Sequence, residues 1–159
     1  MKRVIICILL WALVIGWIGF IFSMSAQPSE VSKKTSGETL EKIYQISHRD
    51  TDSSYEEKED DFVESNHSFI RRAAHFGVFT VLGVLITVAV LYTFKSIFVR
   101  AALPFAVAVL YSFADELYQL IVPGRAFEWK DLGLDVLGGV IGCLLVYLIF
   151  CAAGRLKKK

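Results

Sequence analysis

Four apolar runs dominate this chain, over residues 4–22 and about 73–94, 101–122 and 132–153. A run of about 20 apolar residues crosses the roughly 30 Å hydrocarbon core of a bilayer as a helix, because a helix satisfies its own backbone hydrogen bonds where water is absent. The expected fold is therefore an all-α membrane protein, a four-transmembrane-helix bundle forming a single membrane domain over residues 1–159. Composition agrees: 55% hydrophobic residues and a mean hydropathy of +0.52 exceed the usual soluble-domain share of about 45–50% apolar. The lipid bilayer is thus the first expected partner. Val4–Phe22 carries 19 uncharged residues behind Lys2 and Arg3, more than the roughly 7–15 of a signal-peptide core, and Met24-Ser25-Ala26 is a poor cleavage site. It reads as an uncleaved anchor. Pro104 falls near the start of the third run, where a missing N–H costs least.

The placement of charge, more than its sum of +1, carries the topology. Lys2, Arg3, Lys95, Arg100, Arg155, Lys157, Lys158 and Lys159 flank the runs with no acidic residue among them. The positive-inside rule makes that side cytoplasmic, so both termini are expected in the cytoplasm. Residues 23–72 and the turn Pro123–Lys130 then lie outside. The long segment holds eleven acidic and seven basic residues and reads as a loop with short helical pieces. Leu40, Ile43 and Tyr44 give it a weak amphipathic pattern suited to the lipid interface. Its run Glu56–Asp61 lacks EF-hand spacing and reads as a solvated spacer. No basic patch points to nucleic acid. Cys7, Cys143 and Cys151 lie in apolar runs and read as small hydrophobes rather than a disulfide framework.

Ionisable groups inside a span cost several kcal/mol unless paired or watered, and here they gather in one layer. His75 follows Arg71-Arg72 at the outer end of the second run, Asp115, Glu116 and Gln119 close the third, and Asp131 and Asp135 open the fourth. Arg125 and Lys130 occupy the turn between. Helical neighbours are three or four residues apart, so Asp115 and Glu116 each reach Gln119 and either can be the inward carboxylate. Asp131, Asp135 and Gly138 or Gly139 continue as one stripe to Gly142. Gly138 and Gly142 form a small-xxx-small pair, which serves packing inside the bundle or a homodimer contact. The ionisable layer supports two compatible readings: ion pairs that fix the bundle, or an outward-facing polar binding site. A histidine among carboxylates also suits a metal site or acid–base chemistry, with Glu116, Asp115 and His75 as the catalytic candidates. No His-x-x-x-His, His-Glu-x-x-His, nucleophile elbow or phosphate-binding glycine loop occurs. No metal or cofactor is accordingly expected. His48 and His67 read as solvent-exposed.

Taken in order, Phe22-Ser23-Met24-Ser25-Ala26-Gln27-Pro28, Arg71-Arg72-Ala73-Ala74-His75-Phe76, Asp115-Glu116-Leu117-Tyr118-Gln119, Val122-Pro123-Gly124-Arg125 and Asp131 to Asp135 with Gly138, Gly139 and Gly142 resemble the VanZ-like family of bacterial membrane proteins. The resemblance covers nearly all of the chain except the long outer segment. It implies a multi-pass protein of the bacterial cell membrane, in a family named for low-level resistance to the glycopeptide teicoplanin, mostly in Gram-positive bacteria. Where the family often carries Ser or Thr after Gly-Arg, this chain has Ala126 and Phe127, so a hydroxyl role there does not transfer.

The site expected on these grounds comprises Arg72, His75, Asp115, Glu116, Gln119, Arg125, Asp131 and Asp135. Arg72 and Arg125 would hold a phosphate or carboxylate, and Asp115 or Glu116 would take a hydrogen bond or proton from a polar head group. The expected partners are a lipid-linked cell-wall precursor or a glycopeptide. A binding protein is one reading and a membrane-embedded enzyme acting on a lipid-linked envelope substrate is another; these residues do not decide between them. A transporter fits less well, because no ionisable path continues to the cytoplasmic side.

Overall fold

The computed structural model describes residues 1–47 and 55–154, all of whose regular elements are helices. They are α1 (Lys2–Ser25), α2 (Ser29–Ser47), α3 (Tyr55–Thr93), α4 (Ile97–Gln119) and α5 (Trp129–Ala152). Four of them, α1, α3 from Lys58 onward, α4 and α5, are long and apolar enough to cross a membrane. Their outward side chains agree with lipid as solvent: Ile8, Leu13 and Ile15 on α1 and Leu148 and Ile149 on α5 are all exposed. His48 and the basic residues Arg155, Lys157, Lys158 and Lys159 lie outside the described residues.

α3 packs against every other helix. Its 39 residues extend about 58 Å at 1.5 Å per residue, nearly twice a hydrocarbon core, so one end projects beyond the bundle. α2 lies against that projection. The outer segment, expected as a loop with short helical pieces, is therefore largely two packed helices over its described part. The buried stripe Ser36, Gly37, Leu40 and Tyr44 faces α3, where Tyr44 meets Phe62 at 5.3 Å between ring centroids and Gln45 bonds Glu59 at 3.0 Å. Leu40 and Tyr44 are covered by protein rather than lying on lipid, and Ile43 points outward at 43% exposure. The α3 projection supplies a partner that a local reading of the stripe does not contain.

Within the membrane-spanning part, close backbone approach joins α3 to α5. A Cβ on Gly142 would strike the Thr80 carbonyl oxygen, and one on Gly83 the Gly139 carbonyl oxygen. Small residues at such crossings let helices gain van der Waals contact that lipid cannot offer. Gly138 and Gly142 are buried against α3 of the same chain. The homodimer contact considered for that face is consequently unavailable to a second copy. α1 is stapled to α3 by its tryptophans, Trp11 Nε1 donating to Thr93 Oγ1 at 3.1 Å and Trp17 Nε1 to the Val78 carbonyl at 2.9 Å.

Pro104 sits in the interior of α4, buried, seven residues after the helix begins at Ile97. A proline there leaves the carbonyl four residues earlier, that of Arg100, without its helical donor. The Tyr147 hydroxyl of α5 donates to that carbonyl. A neighbouring helix thus satisfies the freed group, as lipid requires. The three cysteines are free, and only Cys143 is buried.

Gly142→Ala forces the α3–α5 crossing apart and lowers unfolding stability in detergent by about 1–3 kcal/mol. Gly133→Ala, whose added Cβ meets nothing within 4 Å, leaves stability unchanged or slightly raised. Thermal unfolding of the two variants side by side checks the difference.

Candidate functional site

The quoted sequence segments converge at one end of the bundle, where α1 and α4 finish and α5 begins. Gln27 precedes Pro28, which disfavours helix at that residue, and α1 stops at Ser25. The Ser25 hydroxyl then faces α4 and donates to Asp115 Oδ2 at 2.8 Å. Arg125 Nε donates to the Gln27 carbonyl at 3.0 Å, and the Ser29 amide to the Pro123 carbonyl at 3.3 Å. Gly124 makes this latch possible: its φ of +72° suits glycine, and a Cβ there would lie 2.7 Å from Ser29 Oγ. The α1–α2 junction and the α4–α5 turn are thereby tied together.

Two ionic layers sit beside the latch. In the outer one, Arg71 Nη2 bonds Asp131 Oδ2 at 3.0 Å, while Arg72 bonds Asp131 Oδ1 at 2.8 Å and Glu128 Oε2 at 3.0 Å. Two guanidinium groups and two carboxylates make this layer neutral. Arg72 is therefore committed to α5. In the inner layer Asp115 is 3% exposed and Glu116 and Asp135 are fully buried. Both inner carboxylates of α4 point inward, because α1 covers one side of the helix and the start of α5 covers the other. Glu116 Oε1 accepts the Glu128 amide at 2.6 Å, and Asp115 Oδ2 also accepts from Gln119 at 3.2 Å. α4 ends at Gln119 rather than about Val122, so Asp115 lies four residues, roughly 6 Å, from the helix end.

His75 stands between this inner layer and the exterior. Its side chain is 12% exposed, with Nδ1 at 3.6 Å from Asp135 Oδ2, and its ring stacks on Phe79, which is fully buried. Four carboxylate oxygens in the inner layer have no hydrogen-bond partner among the described residues: Asp115 Oδ1, Glu116 Oε2 and both oxygens of Asp135. Unmet buried acceptors of this kind carry a full desolvation cost.

Outside His75 opens a cavity of about 160 Å³ whose wall includes His75, Arg71, Arg125 and the hydroxyl-bearing Ser32, Thr35, Ser36 and Thr39 of α2. Arg125 is half-buried and bonds only neutral oxygens, those of Gln27 and Gln119 Oε1 at 3.0 Å. It forms no ion pair among the described residues. Burial first, and the charge of Arg71 second, lower its pKa from the ordinary arginine value; the guanidinium nevertheless remains charged. Thr35, Ser36 and Thr39 donate their hydroxyl hydrogens to backbone carbonyls of α2, leaving oxygen lone pairs as acceptors.

Of the residues expected from sequence, His75 and Arg125 line the cavity, and Gln119 bridges Arg125 to Asp115. Asp115, Glu116 and Asp135 lie in the inner layer, Arg72 and Asp131 in the outer ionic layer. His67, expected to be exposed, is half-buried on the α3 projection. Sequence reasoning left out Ser25, Arg71, Glu128 and the hydroxyl face of α2. Ser25 and Arg71 stand inside recognisable segments, but their roles depend on which helix they face. The spacing of Ser32, Ser36 and Thr39 along one helical face was the available signal for α2.

The family model described as VanZ/LLP1 matches residues 10–150. No curated protein and no solved structure matches the chain.

Arg72→Gln and Asp131→Asn each lower stability, and the double variant loses less than the sum, by a coupling of about 0.5–3 kcal/mol. A double-mutant cycle by thermal or denaturant unfolding in detergent checks this; strict additivity would mean that the outer ionic layer does not hold α3 to α5.

Proposed function

The chain belongs to the VanZ/LLP1 family, and from that premise we propose that it works at the outer face of a bacterial cell membrane by binding the anionic, hydroxyl-bearing head group of an envelope lipid. The carrying observation is Arg125, a cation with no carboxylate partner in the wall of the cavity. A guanidinium so placed suits phosphate or carboxylate, while the lone pairs of the α2 hydroxyls suit a partner that donates hydrogen bonds, such as a sugar. Lys2, Arg3, Lys95 and Arg100 at the opposite end, together with the basic C-terminal residues, support cytoplasmic termini and an outward-facing cavity.

Size chooses among the partners. A cavity of about 160 Å³ compares with the roughly 150 Å³ that takes one benzene-sized ring, well below the roughly 300–1,000 Å³ of sites that enclose drug-sized ligands. One sugar ring or phosphate of a head group fits within it, and a whole glycopeptide antibiotic does not. Low-level teicoplanin resistance, in this reading, follows from holding a lipid-linked wall precursor rather than capturing the drug. In a Gram-positive host, wild type raises the teicoplanin concentration needed to stop growth, and Arg125→Gln removes the protection at equal membrane protein level. Arg125→Lys retains part of it. Protection that persists in Arg125→Gln would count against the head-group reading.

A second reading, a membrane-embedded enzyme acting on the same class of lipid, is favoured by one observation: His75 borders the cavity while facing buried Asp135 at 3.6 Å. A histidine between bound substrate and carboxylate can relay a proton. The two readings separate on Glu116→Gln, which keeps partial protection for a binding protein and abolishes it for an enzyme that uses this carboxylate, with protein abundance in the membrane measured in the same cells.

A further inference from the structure

The inner ionic layer does not balance. Asp115, Glu116 and Asp135 bring three carboxylates, whereas Arg125 is the guanidinium left over once Arg71 and Arg72 have paired with Glu128 and Asp131. With all three carboxylates ionised and His75 neutral, as ligation of a metal requires, one guanidinium leaves two negative charges, which a single divalent cation would cancel. Each of the three carboxyl groups also presents an oxygen without a hydrogen bond, Oε2 in the case of Glu116. Asp135 is fully buried with neither oxygen hydrogen-bonded, and Asp115, 97% buried by its 3% exposure, keeps Oδ1 free while Ser25 and Gln119 hold Oδ2.

We propose that His75, Asp115 and Asp135 bind a divalent transition-metal ion, Zn²⁺ or Mn²⁺ by their donor chemistry, in the bundle interior directly behind the cavity. One ligand atom from each residue can be chosen so that all three lie within 4.8 Å of one another. Ligands on opposite sides of a zinc ion at about 2.1 Å are about 4.2 Å apart, so three atoms within 4.8 Å of one another close onto one ion with side-chain shifts of under about 1 Å. The His75–Asp135 separation of 3.6 Å is close to the edge of a tetrahedral zinc site, about 3.4 Å for ligands at 2.1 Å. An imidazole with two carboxylates selects zinc, manganese or iron over calcium or magnesium, whose ligands are oxygens. Three protein ligands also leave a coordination position open, the arrangement in which a metal holds water or a substrate oxygen.

The arrangement of neighbours is that of a metal site as well. Ser25 and Gln119 fix one oxygen of Asp115 and thereby orient the other, as outer partners do for ligating carboxylates. Phe79 stacks against His75 at 6.5 Å between ring centroids. Sequence spacing does not reveal the trio, because each ligand comes from a different helix.

The test uses the full chain purified in detergent, stripped with chelator and dialysed against free Zn²⁺ with no lipid head group added. It is therefore independent of what fills the cavity. Wild type retains about one zinc per chain by elemental analysis, and so does Glu64→Gln, which removes an exposed carboxylate of the α3 projection. His75→Gln and Asp135→Asn bind more than tenfold more weakly. Co²⁺ substituted into wild type gives visible absorption bands of low-symmetry coordination, a readout that needs no variant to fold. Stoichiometric zinc with these bands, lost in the two ligand variants but not in Glu64→Gln, supports the site. Failure of wild type to hold zinc or Mn²⁺, or equal retention by Asp135→Asn, overturns it.

Discussion

Asp115, Glu116 and Asp135 lose their water when the helices pack, and the polar end of the bundle is built around that loss. A buried carboxylate survives only with donors or opposite charge close by. Ser25, Gln119 and the Glu128 amide supply three donors. Each comes from a place where a helix begins or ends, since chain ends are where polar side chains and free amides can turn into a bundle. This explains why recognisable segments cluster at the termini of α1, α4 and α5, and why the proline and glycine punctuation there matters: Pro28 stops α1 at Ser25, and Gly124 lets the α4–α5 turn approach Ser29.

The position of the carboxylates depends in turn on the glycine crossing between α3 and α5. With the two backbones in contact near Gly83 and Gly142, the register of α5 against α3 is set, and His75 comes opposite Asp135 while Arg71 and Arg72 come opposite Asp131 and Glu128. A side chain at either glycine would shift that register and separate both pairs at once. Apolar packing deep in the membrane and ionic pairing at its edge therefore form one mechanical unit. The Pro104 and Tyr147 arrangement belongs to it too, because it ties α4, which carries Asp115 and Glu116, to α5.

Beyond the bundle, the α3 projection and α2 give the cavity its outer wall. The division of labour is chemical: α2 contributes neutral hydroxyls, α3 and the α4–α5 turn contribute cations, and His75 separates both from the buried acids. From the cavity inward, a cation and hydrogen-bond acceptors come first, with the acidic layer behind.

How much of this is legible in the chain follows from the range over which each signal acts. Hydrophobic run length, set by the bilayer, made the four spans readable within several residues, and the cost of charge in lipid marked His75, Asp115, Glu116, Asp135 and Arg125 as residues needing a reason. Those constraints act on each segment by itself. The sequence alone did not determine which partner each polar group takes: that Arg72 is spent on α5 while Arg125 keeps neutral partners, that both Asp115 and Glu116 face inward, or that Gly138 and Gly142 meet α3 rather than another copy. Nor did it show that the outer segment folds back as α2 on a lengthened α3, because the weak stripe at Leu40 and Tyr44 becomes a buried face only when the α3 projection lies alongside. Such choices depend on contacts between different helices and the turns that join them, and only the packing of the helices brings those residues together.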